Sequence, residues 1–276
     1  MQDIGKLAFI GGGNMAGALI SGLLKRGMAP GCCAVADPSA EQRRRLTQEY
    51  GIATTDDNAV AVQGANVVVL AVKPQQIRAV ARDLAPHLAS SRPLLISVAA
   101  GIPHAALLRW FGPQIAVVRA MPNRPALNGF GATGLYAPAG VGAAQRDLAE
   151  SILAAVSATV WVEHESQMDT VTALSGSGPA YFFLFMEALE AAAHERGLPM
   201  EIAHRLTLET AFGAAQMARQ SNEPLAALRE QVTSKGGTTA AALRVLDEAG
   251  LRAIVAHAVA AADRRSAELA AEYGQP

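Results

Sequence analysis

Two glycine-rich segments lie far apart in the chain, and each has the residue types of a loop that opens a helix onto an anion. The first, IGGGNMAG from Ile10, sets Gly11, Gly13 and Ala16 in the spacing G-x-G-x-x-A. Gly11 suits a tight turn. Gly13 lets the backbone come close to a pyrophosphate lying on the helix N-terminus, with Asn14 and Met15 at the same junction. Asp37 ends the next apolar run, where a carboxylate that reads ribose hydroxyls stands in dinucleotide sites. Such a carboxylate favours NADH, because it repels a 2′-phosphate. Ser39, Arg43, Arg44 and Arg45 follow at once and have the chemistry to hold that phosphate in NADPH. The residues leave both cofactors open. The second segment, VTSKGGTTAAAL from Val232, sets Ser234, Gly237, Thr238 and Thr239 ahead of an apolar helix-forming run. Backbone N–H groups and hydroxyls in that arrangement can cradle a small carboxylate.

The reaction is narrowed by what does not accompany these loops. Reducing a ketone to an alcohol calls for an acid at the carbonyl oxygen. His87, His104, His164, His194, His204 and His257 show no spacing that pairs them with a carboxylate. There is no Tyr-x-x-x-Lys pair and no metal-ligand cluster, so no metal is expected. A cyclic imine needs less. Once protonated at nitrogen, it is a cation that hydride transfer neutralises, and the site must mainly anchor its charges.

The elements that must position these loops fall into two sets. Short apolar runs alternate with helical stretches in the first part of the chain: Lys6–Ile10, Cys32–Ala36, Asn66–Val72, Leu94–Val98 and Ile115–Val118. Gly134–Tyr136 and Thr159–Val162 could add outer strands. That rhythm predicts a Rossmann-type α/β domain with a doubly wound parallel sheet. A first helix is expected from Asn14 to Met28, and Ser39 with Gln42 reads as a capping box on a second. After about Glu165 only helices are expected, over Pro179–Arg196, Pro199–Gln220, Pro224–Gln231, Thr238–Glu248 and Leu251–Tyr273. The expected domains are therefore residues 1–164, binding a dinucleotide, and residues 165–276, all-helical. The stretch AYFFLFMEALEAAA is apolar nearly all round. A helix without a polar face must be covered on several sides, and a domain of some 110 residues offers little interior, so a homodimer is expected.

The bulk numbers agree. The chain has 276 residues, 51% hydrophobic and 17% charged, with a net charge of −1. Near-neutral charge without a basic run argues against nucleic acid and anionic membranes as partners. No apolar run reaches transmembrane length, no leader pattern is evident, and the adjacent Cys32 and Cys33 read as reduced thiols, so a cytoplasmic protein is expected.

Six segments in order, IGGGNMAGAL, AVKPQ, SVAAGI, RAMPNRPA, ALSGSGPAYFF and VTSKGGTTAAAL, resemble the pyrroline-5-carboxylate reductase family over nearly the whole chain. The resemblance implies NADPH- or NADH-dependent reduction of 1-pyrroline-5-carboxylate to L-proline, the last step of proline biosynthesis. It implies an all-helical C-terminal dimerisation domain, and dimers that assemble further, often to decamers. By position, Ser234, Gly237, Thr238 and Thr239 are implied to bind the substrate, with the Thr239 hydroxyl beside the ring nitrogen. Met121, Pro122 and Asn123 are implied at the nicotinamide end, Ala71, Lys73 and Pro74 over the middle of the cofactor, and Asn58 near the adenosine ribose. Lys235 and Arg124 depart from the family pattern, which usually has Pro and Thr there. Two other readings stand beside this one. A β-hydroxyacid-type dehydrogenase would need a lysine between Leu174 and Glu190, which has none. A non-catalytic dinucleotide sensor would have no use for a carboxylate cradle.

Overall fold

The computed structural model describes residues 4–275. Eight strands form one sheet: β1 Leu7–Ile10, β2 Cys33–Ala36, β3 Ala53–Thr55, β4 Val67–Leu70, β5 Leu94–Ser97, β6 Val117–Met121, β7 Gly131–Tyr136 and β8 Ser157–Trp161. Their order is β3-β2-β1-β4-β5-β6-β7-β8. All neighbours are parallel except β6 and β7. The helices between them are α1 Asn14–Lys25, α2 Ala40–Tyr50, α3 Asn58–Val62, α4 Pro74–Leu88, α5 His104–Phe111 and α6 Ala143–Leu153.

Alternation along the strands explains the double winding. In β1, Leu7 and Phe9 face a core built with α1, α2 and α6, whereas Ala8 and Ile10 face one built with α3, α4 and α5. Both faces are covered, so the central strands must be apolar throughout, and β1, β2, β4 and β5 are buried at every position. Cys33 lies in that core. Burial, reinforced by the neighbouring Cys32, pushes its thiol up to about 12, which leaves it protonated and inert.

Several expected details are corrected. The fifth apolar run pairs later than expected: Ile115 belongs to the turn after α5, and the strand runs on to Met121. β3 and α6 fall between the elements expected, and α1 stops at Lys25, three residues short of Met28. Only half of the capping box forms. Ser39 Oγ accepts from Gln42 N at 3.3 Å, but the Gln42 side chain accepts from Arg45 and Ser39 N donates to Asp37.

Helices continue the chain: α7 Gln167–Val171, a π-helical turn over Thr172–Gly176, then α8 Gly178–Glu195, α9 Met200–Gln220, α10 Leu225–Gln231, α11 Thr238–Glu248 and α12 Leu251–Tyr273. The last two have the limits expected from sequence. The expected boundary at 164/165 marks the change from strands to helices. The compact units divide elsewhere: one runs to Ser177 and takes in the chain from Ala261 onward, and the other is Gly178–Ala260. The end of α12 joins the first unit through Asp263 to Thr170 (2.7 Å), Ser266 to Asp169 (2.7 Å) and Tyr273 to Gln75 (2.8 Å).

Within the unit Gly178–Ala260, α8 and α9 pack on each other, yet little apolar surface is hidden. Phe182, Phe183 and Leu184 are each more than 60% exposed in the single chain. Among the described residues, no helix is long and apolar enough to cross a membrane.

Candidate active site

The strand order reverses between β1 and β4, and open α/β sheets bind their ligands at the carboxyl ends flanking such a point. Gly11 follows β1 there and Ala71 follows β4. Gly11 N donates to Ala36 O and Ala71 N to Ile10 O, both at 2.8 Å, so the three strand ends are held level. Gly11 has φ +97°, and a Cβ on it would lie 2.7 Å from Ala71 O. Only glycine meets both conditions. Gly13 takes the N-cap position of α1, whose first turn begins with Asn14 and Met15 and has no side-chain cap. A Cβ on Gly13 would meet nothing within 4 Å. The start of α1 is therefore open beside Gly13 and without a side-chain cap, as a site for pyrophosphate requires.

Asp37 is tied into this loop. One carboxylate oxygen accepts from Gly12 N at 2.7 Å and the other from Ser39 N at 2.8 Å. The carboxylate thus fixes the glycine loop against the β2–α2 turn, a commitment invisible in the sequence because Gly12 and Asp37 are 25 residues apart. Arg43 is committed as well. Its guanidinium donates to the carbonyls of Asp37 and Pro38 and pairs with Asp56 at 3.4 Å. Arg45 pairs with Glu49. Arg44 lies with Asn14, Glu41 and Gln48 along an open groove of about 660 Å³ beside the loop. Asp37→Ser should raise the NADPH-to-NADH ratio of kcat/KM by roughly tenfold, since the repulsion of a 2′-phosphate is removed. Both absolute values should fall, because Gly12 loses its anchor. An unchanged ratio would show that Asp37 does not face the ribose.

The other residues expected at the cofactor are spread along the same edge. Asn58 opens α3 and donates to Asp83 on α4 at 3.0 Å. Lys73 takes the N-cap position of α4 and Pro74 its first residue, where a missing N–H costs nothing. Met121 ends β6, and Pro122 and Asn123 lead into a 3₁₀ turn at Arg124–Asn128.

Two features emerge that sequence spacing did not indicate. The segment SGSG is divided: Ser175 and Gly176 end a π turn, Ser177 caps it and Gly178 opens α8, and Asn123 Nδ2 donates to Ser175 O at 2.9 Å. Glu165 joins two elements: it pairs with the nearly buried Arg119 of β6 and accepts from the backbone N–H of His104 at the start of α5. The His104 imidazole is held below its ordinary pKa, chiefly by burial. Arg119 adds to that effect, and Glu165 with a backbone bond at Val117 opposes it. The histidines also need one correction. His204 does meet a carboxylate, Glu190 Oε1 at 2.6 Å, across α8 and α9.

The second glycine loop lies in the unit Gly178–Ala260. Gly236 has φ +72°, which turns the chain, and Gly237 takes the N-cap position of α11 with extended backbone. Gly237 N donates to Ser234 O at 3.1 Å, and a Cβ on Gly237 would lie 2.3 Å from Ser234 Oγ. Ser234 is thus folded back on the helix start. Thr238 and Thr239 form its first turn, which has no side-chain cap. Lys235 is exposed.

The glycine loops and the turns around them are of a kind already known. Residues 165–269 match the family described as pyrroline-5-carboxylate reductase dimerisation, and residues 6–101 match NADP oxidoreductase, coenzyme F420-dependent. Pyrroline-5-carboxylate reductase of Pseudomonas aeruginosa is 51% identical over 98% of both chains. The pyrroline-5-carboxylate reductase structure from Coxiella burnetii superposes with a TM-score of 0.93 at 43% identity, over 96% of this chain and 98% of that one. Pyrroline carboxylate reductase of Plasmodium falciparum, solved with NADP bound, gives 0.84 at 30% identity over 98% and 99%. With likeness at this level running from end to end, the chain belongs to the pyrroline-5-carboxylate reductase family.

Proposed function

We propose that this protein reduces 1-pyrroline-5-carboxylate to L-proline with NADPH or NADH, the closing step of proline biosynthesis. The observation that carries the reading is the pair of helix starts, at α1 and α11, each opened by glycine and lacking a side-chain cap. One suits a dinucleotide and the other a small carboxylate. The residues at α1 fit the cofactor, since Gly13 leaves the backbone open and Asp37 holds Gly12 in place. The β-hydroxyacid and sensor readings have no support, because the relatives named above are pyrroline carboxylate reductases.

A bound nicotinamide would supply hydride to the imine carbon, which is C2 of the pyrroline ring and C5 of the proline formed. Gly11, Gly13, Asn14 and Met15 hold the pyrophosphate, and Ala71, Lys73 and Pro74 cover the middle of the cofactor. Asp37, Ser39 and Asn58 lie at the ribose, and Met121, Pro122 and Asn123 at the nicotinamide end. Ser234, Gly237 and Thr238 take the substrate carboxylate through N–H and hydroxyl donors. Thr239 stands at the ring nitrogen, where its hydroxyl can hold the proton that the product amine retains. Thr239→Val keeps the side-chain shape and removes the hydroxyl. Its kcat/KM should fall at least about tenfold, about 1.4 kcal/mol of transition-state stabilisation. NADPH affinity, followed by fluorescence titration, should hardly change. A variant as active as wild type would remove Thr239 from the mechanism.

The helical domain is the dimerisation domain, and the protein acts as a homodimer. Assembly of dimers into a decamer is the further step implied by the family resemblance. Two free thiols side by side suit a reducing cytoplasm, without membrane or nucleic-acid partners. The test of the activity is NADPH or NADH oxidation on addition of pyrroline-5-carboxylate. Turnover with a 2-keto acid and none with the imine would overturn the reading.

A further inference from the structure

Asn123 is 8% exposed, and its carboxamide is engaged at both ends. Oδ1 accepts from Ala132 N on β7 at 2.9 Å, and Nδ2 donates to Ser175 O at 2.9 Å. The orientation is fixed chemically, because a flipped amide would set donor against donor and acceptor against acceptor. Ser175 belongs to the π turn Thr172–Gly176, closed by Ser177 N donating to Thr172 O at 2.9 Å. Its hydroxyl donates back to Val171 O, also at 2.9 Å. π turns are rare and recur at functional sites, since they are held only where surrounding contacts over-determine them. Here a second contact adjoins the first: a Cβ on Gly176 would lie 2.7 Å from Met121 Cε. The short segment from Met121 to Asn123 thus grips two successive residues of the turn, one by a hydrogen bond and one by close packing.

We infer that Asn123 is a positioning residue rather than a cofactor ligand: it locks the π turn against Met121 and so sets the geometry in which hydride moves at the nicotinamide end. The inference rests on the reductase reading for its catalytic consequence, and on the contacts above for the brace itself. Asn123 is spent on protein groups, so its loss should leave cofactor affinity intact and misplace the reacting partners. Misplacement by about 1 Å can cost as much as 100-fold in rate.

Asn123→Asp is close to isosteric. It keeps one acceptor for Ala132 N and sets a carboxylate oxygen against Ser175 O. Three results are expected. Amide hydrogen exchange over residues 172–177 should quicken. kcat should fall roughly tenfold, with a larger primary isotope effect when the transferred hydrogen of NADPH is deuterium. The Kd for NADPH should stay close to wild type. Gly176→Ala, which presses on Met121 from the turn, should show the same faster exchange and larger isotope effect, and it carries the test if Asn123→Asp does not fold. Wild-type exchange in either folded variant would overturn the brace. An activity loss that lies in the Kd for NADPH would overturn the positioning role. The exchange experiment needs no substrate. If the wild type fails to reduce pyrroline-5-carboxylate, the reductase reading falls while the brace is still decided.

Discussion

Phe185→Asp is expected to leave a monomer without activity. Of the whole of α8 only Gly178 is buried, although the helix carries Phe182, Phe183, Leu184, Phe185 and Leu189. Such a face is unfavourable in water, and α8 lies inside the segment that matches the family's dimerisation region. Covering one phenylalanine fully is worth about 1.5–3 kcal/mol, and a twofold dimer counts it twice. The aspartate adds the desolvation of a charge, several kcal/mol unless it is neutralised or moves. Loss on this scale raises the dimer dissociation constant by at least about 1,000-fold, since each 1.4 kcal/mol is a factor of ten. Light scattering and turnover should fall together. A fully active monomer would contradict the covered helix and the need for a dimer at once. Ala188→Glu, on the same exposed helix, should act in the same direction.

Gly11→Ala is expected to abolish cofactor binding while the sheet still folds. At φ +97° an alanine is strained, by about 1–3 kcal/mol. The added methyl would also meet Ala71 O at 2.7 Å and Val72 Cγ1 at 2.9 Å. The conflict is relieved only if the β1 end or the β4 end moves, and both shape the mouth of the dinucleotide site. Affinity for NADPH should drop by at least about 100-fold, about 2.7 kcal/mol, as measured by calorimetry. Circular dichroism should stay native. Gly13→Ala tests another demand at the same loop. Its methyl meets no protein atom within 4 Å, so any loss of affinity there reports contact with the ligand itself. Affinity unchanged in Gly11→Ala would show that this loop does not hold the cofactor.

The parts of the fold legible in sequence are those whose signal is local. The central strands announce themselves because burial on both faces demands continuous apolar runs. α11 and α12 end where expected because Gly237, Gly250 and Gly274 punctuate them. β3 was missed for the opposite reason: Ala53–Thr55 is three residues long and partly exposed at the sheet edge, so neither run nor alternation marks it. The run at Ile115 gave strand residues too early because apolar turn and apolar strand look alike when both are buried.

The same division holds at the site. The glycine spacing at Gly11 and Gly13 is readable because it is a short pattern lying directly after an apolar run. The commitments of Asp37 to Gly12, of Asn123 to Ser175 and of Arg119 to Glu165 are not, since they join residues 25, 52 and 46 positions apart. They decide which polar groups remain for a ligand. Arg43, one of the residues with the chemistry for a 2′-phosphate, is tied to the carbonyls of Asp37 and Pro38. No rule of composition separates it from its neighbour Arg44. The π turn is likewise hidden, since nothing in the run TALSG marks it until Met121 and Asn123 are brought against Gly176 and Ser175.

On the reductase reading, hydride passes from the nicotinamide to the imine carbon of pyrroline-5-carboxylate. The direct measurement uses NADPH deuterated at the transferred position and mass and NMR analysis of the product. The expected product is L-proline one mass unit heavier, with the deuterium at C5 and one equivalent of oxidised cofactor formed. Unlabelled proline, or cofactor oxidation without proline, would contradict it.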